Sequence, residues 1–137
     1  MTVVIDVRRD DRQTPPRAGA EELSAHGVLF VHSCALAVAP HLEWALARVF
    51  GTAVNVDWAP QPIVPGNVRA EIIWHGPRGT ASKIASTLVS FTTMRFEVSE
   101  DPSAGVEGER YAFTPTLGLF RATIGSHGDV LVHEDRL

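Results

Sequence analysis

Cysteine, lysine and long apolar runs are scarce in this 137-residue chain. The single cysteine, Cys34, excludes an internal disulfide and a zinc site built from several thiolates, and it fits a reducing cytoplasm. No segment has the eighteen or so consecutive apolar residues that a membrane helix needs. With 12 basic against 16 acidic residues and a net charge of −4, the sequence also shows no basic face of the kind that nucleic-acid-binding proteins carry.

Length and composition predict one folded domain. Hydrophobic residues make up 45% of the chain, which is enough for a core in a protein of this size. Residues 1–24 combine mixed charges with a pair of prolines, a composition that predicts a flexible tail. The folded domain is therefore predicted to span 25–137.

Hydrophobic spacing predicts the order strand, helix, strand, strand, helix, strand, followed by two C-terminal strands. The strands are predicted over 28–31, 53–58, 68–75, 94–99, 110–114 and 117–124, with a proline-rich loop over 59–66 and a last short strand or helical turn within 129–137. One helix is predicted from Pro40 to its glycine cap at Gly51. A second helix follows Thr80, its expected N-cap; its apolar face is formed by Ala81, Ile84, Ala85 and Leu88, and its water-facing side by Ser82, Lys83, Ser86 and Ser90. The first six elements predict an α+β, ferredoxin-like β-α-β-β-α-β core, with two helices on one face of an antiparallel sheet that C-terminal strands extend.

Two tryptophans and the cysteine are predicted to be structural. Trp58 and Trp74 end their alternating strands on the side that faces the core. Cys34 follows a buried strand, and free cysteines are mostly buried and inert.

The first helix carries an unusual outer stripe. At about 100° per residue, its apolar face centres near Leu42 and Leu46, so that Trp44 points away from the core. His41, Trp44 and Arg48 follow one another at i, i+3 and i+7, and exposed aromatics beside arginine are typical of interaction surfaces. Two interpretations stay open: the stripe binds a partner, or the C-terminal extension folds over Trp44.

A second candidate site is polar. A ligand site would form if residues of the acidic loop met polar residues near the C-terminus; its members would be Glu107, Glu109, Arg110, Tyr111, His127 and Asp129. His127, Asp129, His133 and Glu134 have side chains that suit zinc or iron, but their spacing matches no known metal-binding motif. We therefore predict no bound metal and no cofactor.

Several short stretches together resemble one known family. They are Gly-Val-Leu-Phe-Val-His-Ser at 27–33, Pro-His-Leu-Glu-Trp-Ala at 40–45, Asp-Trp-Ala-Pro-Gln-Pro at 57–62, Pro-Ser-Ala-Gly-Val-Glu-Gly-Glu-Arg-Tyr at 102–111, Thr-Pro-Thr-Leu-Gly at 114–118 and His-Gly-Asp at 127–129. The chain from Gly27 onward is similar to an actinobacterial family known as a domain of unknown function (number 3145). That resemblance implies an intracellular protein associated with fatty-acid synthesis and acyl-CoA carboxylation, and it supplies no catalytic residues. Ala39 stands where the family pattern has cysteine, which argues against a catalytic thiol there.

The sequence therefore favours a non-catalytic protein-binding or accessory module in the cytoplasm. Its expected partner is a protein, which the resemblance places among the enzymes of fatty-acid synthesis or acyl-CoA carboxylation; no nucleic acid or membrane is expected. The alternative is an enzyme or small-molecule-binding domain that uses the polar site. The open face of the sheet, with Arg69, Glu71, Arg95 and Glu97, is a candidate surface for a second subunit.

Overall fold

The described part of the chain folds into one mixed sheet and two helices. A computed structural model describes residues 2–6, 24–103, 105–125 and 130–131. The elements within these ranges are β1 (Thr2–Asp6), β2 (Ser24–Ala35), α1 (Ala39–Phe50), β3 (Ala59–Pro60), β4 (Asn67–Pro77), α2 (Thr80–Leu88), β5 (Arg95–Glu100), β6 (Gly108–Thr114), β7 (Gly118–Ile124) and β8 (Val130–Leu131). The α+β class is thereby confirmed.

The sheet runs in the order β1-β4-β2-β5-β6-β7-β8, and β3 also pairs with β4. The β1–β4 pair is parallel and every other described pair is antiparallel. The strands predicted over 68–75, 94–99, 110–114 and 117–124 correspond to β4 to β7, and the strand predicted over 28–31 forms the centre of the longer β2.

Both helices cover the same face of this sheet. Leu29 of β2 lies opposite Ile72 of β4 and Val98 of β5, so these three buried residues share one face. Leu46 of α1 and Ile84 of α2 belong to the same buried cluster. Side chains from both helices therefore meet one sheet face, as predicted.

The strand order differs from that of the predicted four-strand core at one edge. The strand predicted over 53–58 does not form, and β3 holds only two residues. Val54 is buried, but the backbone N–H of Val56 donates to the Glu43 carboxylate instead of to a strand, and the prolines that follow remove further donors. That edge of β4 is instead completed by β1, which pairs with residues 71–75.

The N-terminal tail assignment is wrong for Thr2–Asp6, which form β1. This segment contains Val3, Val4 and Ile5, and such β-branched side chains favour the extended backbone of a strand. Residues 7–23 lie outside the described part of the chain.

The ends of the two helices follow different rules. In α1, proline occupies the first turn and Gly51, at φ 70°, donates its N–H to Ala47, which confirms the predicted cap. In α2 the predicted cap is wrong: Gly79 is the N-cap, and the Thr80 hydroxyl donates to the Pro77 carbonyl oxygen at 2.5 Å. The buried Glu100 carboxylate accepts the N–H groups of Gly79 and Ala81, at 3.1 and 3.2 Å, and so satisfies the start of this helix.

Neither described helix combines the length and the apolar character needed to cross a membrane.

Candidate functional site

The outer stripe of α1 borders a groove between the two helices. Leu42 and Leu46 are buried on the inner side of α1, which leaves Trp44 on the outer side with 66% of its surface exposed. His41 lies one turn before Trp44, with 5.3 Å between the ring centroids and the rings nearly perpendicular. Arg48 follows one turn later and is also exposed. The three residues that the sequence grouped therefore lie together along one side of the groove.

The other side of the groove comes from α2 and the turn after it. Lys83, Thr87, Ser90 and Phe91 line this side, and Ala45 and Val49 of α1 contribute to the lining between the two sides. The groove has a volume of about 710 Å³ and is open to solvent. Sequence reasoning placed Lys83 and Ser90 on the water-facing side of α2, but it did not connect them with Trp44. Lys83 and Thr87, four residues apart, share one face of α2, but no signal in the sequence connects that face with α1.

The charged side chains known to line this groove are basic. Arg48 and Lys83 lie on opposite sides of it, and none of the described residues that line it is acidic. Glu43, the acidic residue of α1, accepts hydrogen bonds from the Trp58 indole at 2.9 Å and from the Val56 N–H at 3.2 Å. Those bonds direct the Glu43 carboxylate toward residues 56–58 and leave the cations of the groove without a counter-charge from this helix.

The predicted polar site is divided between the two faces of the sheet. Tyr111 of β6 lies on the helix-covered face, where its hydroxyl donates to Glu109 at 2.5 Å and Arg121 of β7 forms an ion pair with the same carboxylate. Arg110 points to the open face and forms an ion pair with Glu97 of β5 at 2.7 Å. Glu107 is exposed beside Glu109 and Arg121 in a shallow pocket. His127 and Asp129 lie outside the described residues, so the structure brings together only part of this site.

The cluster formed by Glu109, Tyr111 and Arg121 changes the pKa values of its own members. Burial alone would raise the pKa of Glu109, but hydrogen bonds from Tyr111 and Arg121 outweigh burial and hold the pKa below the usual 4.5. Burial and the hydrogen bond to Glu109 raise the pKa of Tyr111 above 10. The carboxylate therefore stays charged and the phenol stays protonated at neutral pH. Because these groups bind one another, the cluster works first as a clamp between β6 and β7.

The open face of the sheet carries a shallow pocket of mixed charge. It has a volume of about 410 Å³ beside the proline-rich loop, and its lining includes Phe30, His32, Asp57, Arg69 and Glu71. The Phe30 and His32 rings lie nearly parallel, with centroids 6.0 Å apart. Arg69 lines this pocket together with the carboxylates of Asp57 and Glu71, so the lining carries charges of both signs.

The described residues include neither a cluster of metal ligands nor an activated cysteine. They hold no group of three or more His, Cys, Asp or Glu placed to bind a metal ion. His133 and Glu134, like His127 and Asp129, lie outside them, so the metal prediction stays a prediction. Cys34 is buried, and burial raises its pKa to about 11, which keeps it a neutral thiol at physiological pH. The tryptophan predictions hold for Trp74, which is fully buried, whereas Trp58 is half-buried at the edge of the core.

The fold and the groove define a small α+β domain in which the described residues leave the outer face of the helices uncovered. Comparison with curated proteins and with solved structures gives no match. The chain belongs to the family described as protein of unknown function (DUF3145), whose profile matches residues 28–137. The resemblance read from the sequence is thus confirmed.

Proposed function

We propose that this protein is a non-catalytic module that binds a protein partner through the groove between α1 and α2. The observation that carries this proposal is Trp44, a large aromatic that is 66% exposed beside a partly apolar groove. Burying the exposed part of such an indole would contribute on the order of 3 kcal/mol to association. Tryptophan and arginine are also the side chains that most often dominate protein interfaces.

The test is to purify the tagged, full-length protein from its native cells, in parallel with two variants. Trp44→Ala removes the proposed anchor, and Leu117→Ala truncates another exposed apolar residue, 88% exposed, in the β6–β7 turn. We expect a protein that copurifies in constant ratio with the wild type and with Leu117→Ala but is lost from Trp44→Ala. A partner that Trp44→Ala retains in full would contradict the proposal.

The metabolic setting is a separate proposal. The family resemblance supports a partner among the enzymes of fatty-acid synthesis or acyl-CoA carboxylation, and the single, buried cysteine supports a cytoplasmic location. Size-exclusion chromatography with purified components of these enzymes tests the first point. Co-elution that Trp44→Ala abolishes is the expected result, and separate elution of every component would oppose it.

The relationship to the ferredoxin-like fold is also a proposal. The order β2-α1-β3-β4-α2-β5, with the antiparallel neighbours β3–β4, β4–β2 and β2–β5, supports it. On this view β3 is a shortened edge strand, and β1 supplies the rest of that edge.

The alternative, a small-molecule site around 107–111 and 127–129, has narrower support. It rests on Glu107, Glu109 and Arg121, which share the shallow pocket near the β5–β6 loop. The opposite orientation of Arg110 weighs against a single site that uses all the predicted residues.

A further inference from the structure

The groove between α1 and α2 differs in charge from the chain as a whole. The chain has a formal net charge of −4, yet Arg48 and the chain's single lysine, Lys83, both line this groove. His41 adds a third basic side chain at one end. A groove with cations on both sides generates a positive potential that attracts negative groups.

These cations have no partners among the described residues. The ion pairs formed there by arginine involve Arg110 and Arg121, which belong to the sheet. The α2 sequence Thr-Ala-Ser-Lys-Ile-Ala-Ser-Thr-Leu contains no acidic residue, and Glu43 of α1 is bound to Trp58 and Val56. Within the described part of the chain, nothing therefore neutralises the charges of Arg48 and Lys83.

The shape of the groove suits a helix. Ala45 and Val49 lie between its charged sides, and with Phe91 on the α2 side they form an apolar strip beside Trp44. From His41 to Arg48 the outer stripe of α1 covers two helical turns, or about 10 Å. A third helix packed on two neighbouring helices can place its apolar residues on such a strip while its flanking residues face the charged sides.

Building on the proposed docking function, we infer that the partner segment is an acidic amphipathic helix. Its apolar face covers Ala45, Val49 and Phe91 and packs against Trp44, and its Asp or Glu side chains on either flank pair with Arg48 and Lys83. The charge pairs speed association and select against basic segments, while Trp44 and the apolar strip supply most of the affinity.

Three synthetic peptides test the inference with the full-length protein. Each is about 18 residues long, sufficient for measurable helicity in water, with leucines along one face and a fluorescent label. The flanking positions carry Glu in one peptide, Lys in the second and Gln in the third. Fluorescence anisotropy at low salt should show that the Glu peptide binds about tenfold or more tightly than the Lys peptide, with the Gln peptide between them. Added salt should reduce this preference.

Two double variants show which residues cause the preference. The double variant Arg48→Gln/Lys83→Gln should abolish the preference for the Glu peptide. Arg69→Gln with Arg95→Gln removes the same charge from exposed residues of the open sheet face and should leave the preference unchanged. Equal binding of the Glu and Lys peptides, no binding of either, or the same loss in both charge variants would overturn the inference.

The copurified partner distinguishes failure of the acidic-helix inference from failure of the docking proposal. Suppose that the partner is lost from Trp44→Ala but binds the double variant Arg48→Gln/Lys83→Gln as well as it binds the wild type. The docking proposal would then stand, and the inference of an acidic helix would be wrong. A partner that does not depend on Trp44 would remove the docking proposal itself.

Discussion

The inner and outer sides of the helix layer differ in how completely folding buries their large side chains. On the inner side, Trp74, Leu42 and Ile84 have no exposed surface and belong to one cluster between helices and sheet. On the outer side, Trp44 keeps two-thirds of its surface exposed beside Arg48 and Lys83, which form no ion pair with the described residues. Because folding buries so little of Trp44, packing does not explain its presence, and this is why we propose that it binds a partner.

Trp74→Ala should produce the largest loss of stability, since Trp74 lies wholly on the inner side. Truncating a buried aromatic leaves a cavity, and we expect the free energy of unfolding to fall by about 3–5 kcal/mol in urea titrations. Trp74→Phe is the matched control, because it keeps most of the ring and removes an indole N–H that has no hydrogen-bond partner among the described residues. That control should cost clearly less. A loss below about 1 kcal/mol for Trp74→Ala would remove the contrast between the two sides.

Glu100→Ala should have the next largest effect. It removes the carboxylate that accepts the Gly79 and Ala81 N–H groups, and it leaves the half-buried Gly79 donor and the buried Ala81 donor without this acceptor. We expect a loss of about 1–3 kcal/mol in the free energy of unfolding, with slower-exchanging amides of α2 becoming less protected. Glu100→Gln keeps one acceptor oxygen, so its free energy of unfolding should lie between those of the wild type and Glu100→Ala. An unchanged free energy of unfolding in Glu100→Ala would mean that water replaces the carboxylate.

Arg121→Gln should have a smaller, pH-dependent effect. The folded-state pKa of Glu109 lies below its unfolded value near 4.5, so its stabilising contribution is present above pH 4.5 and is lost as the pH falls through the folded-state pKa. Removing Arg121 should lower the free energy of unfolding by less than about 1 kcal/mol at pH 7, because both side chains are partly exposed. The difference from the wild type should shrink toward pH 3. A difference that grows in acid would mean that Arg121 acts through another group.

Trp44→Ala should change stability least of all. Substitutions of exposed residues usually alter the free energy of unfolding by no more than about 0.5 kcal/mol. Urea titrations of Trp44→Ala and Trp74→Ala side by side measure the contrast between the two sides of the layer directly. If Trp44→Ala cost about 3 kcal/mol, Trp44 would be buried in solution and the docking surface would be lost.

Local periodicity explains what the sequence could predict. The angle between Leu42 and Trp44 on one helix, and the alternation along β4 and β5, depend only on neighbouring residues, and both predictions were correct. The same period of two along β6 places Arg110 opposite to Tyr111. The predicted polar site grouped Arg110 with Tyr111 because they are adjacent in sequence, although adjacent residues of a strand point to opposite faces.

Long-range pairing explains what the sequence could not predict. Residues 2–6 are too short to identify a strand without their partner β4, and Glu100 caps a helix that begins 20 residues earlier. Lys83 belongs to the candidate site only because α2 packs beside α1. Each of these three relationships joins residues that are far apart in the chain, so no short stretch of sequence predicts it.

The parallel pairing of β1 with β4 has a consequence during protein synthesis. Thr2 pairs with Glu71, so β1 leaves the ribosome about 70 residues ahead of its partner. At roughly 5–20 residues per second, β1 waits about 4–14 s before β4 is available to pair with it. Until β1 joins, the corresponding edge of β4 presents unpaired backbone groups that a strand from a neighbouring nascent chain could occupy. β1 thus joins the sheet well after its own translation, and it closes an edge of β4 through which newly made chains would otherwise associate.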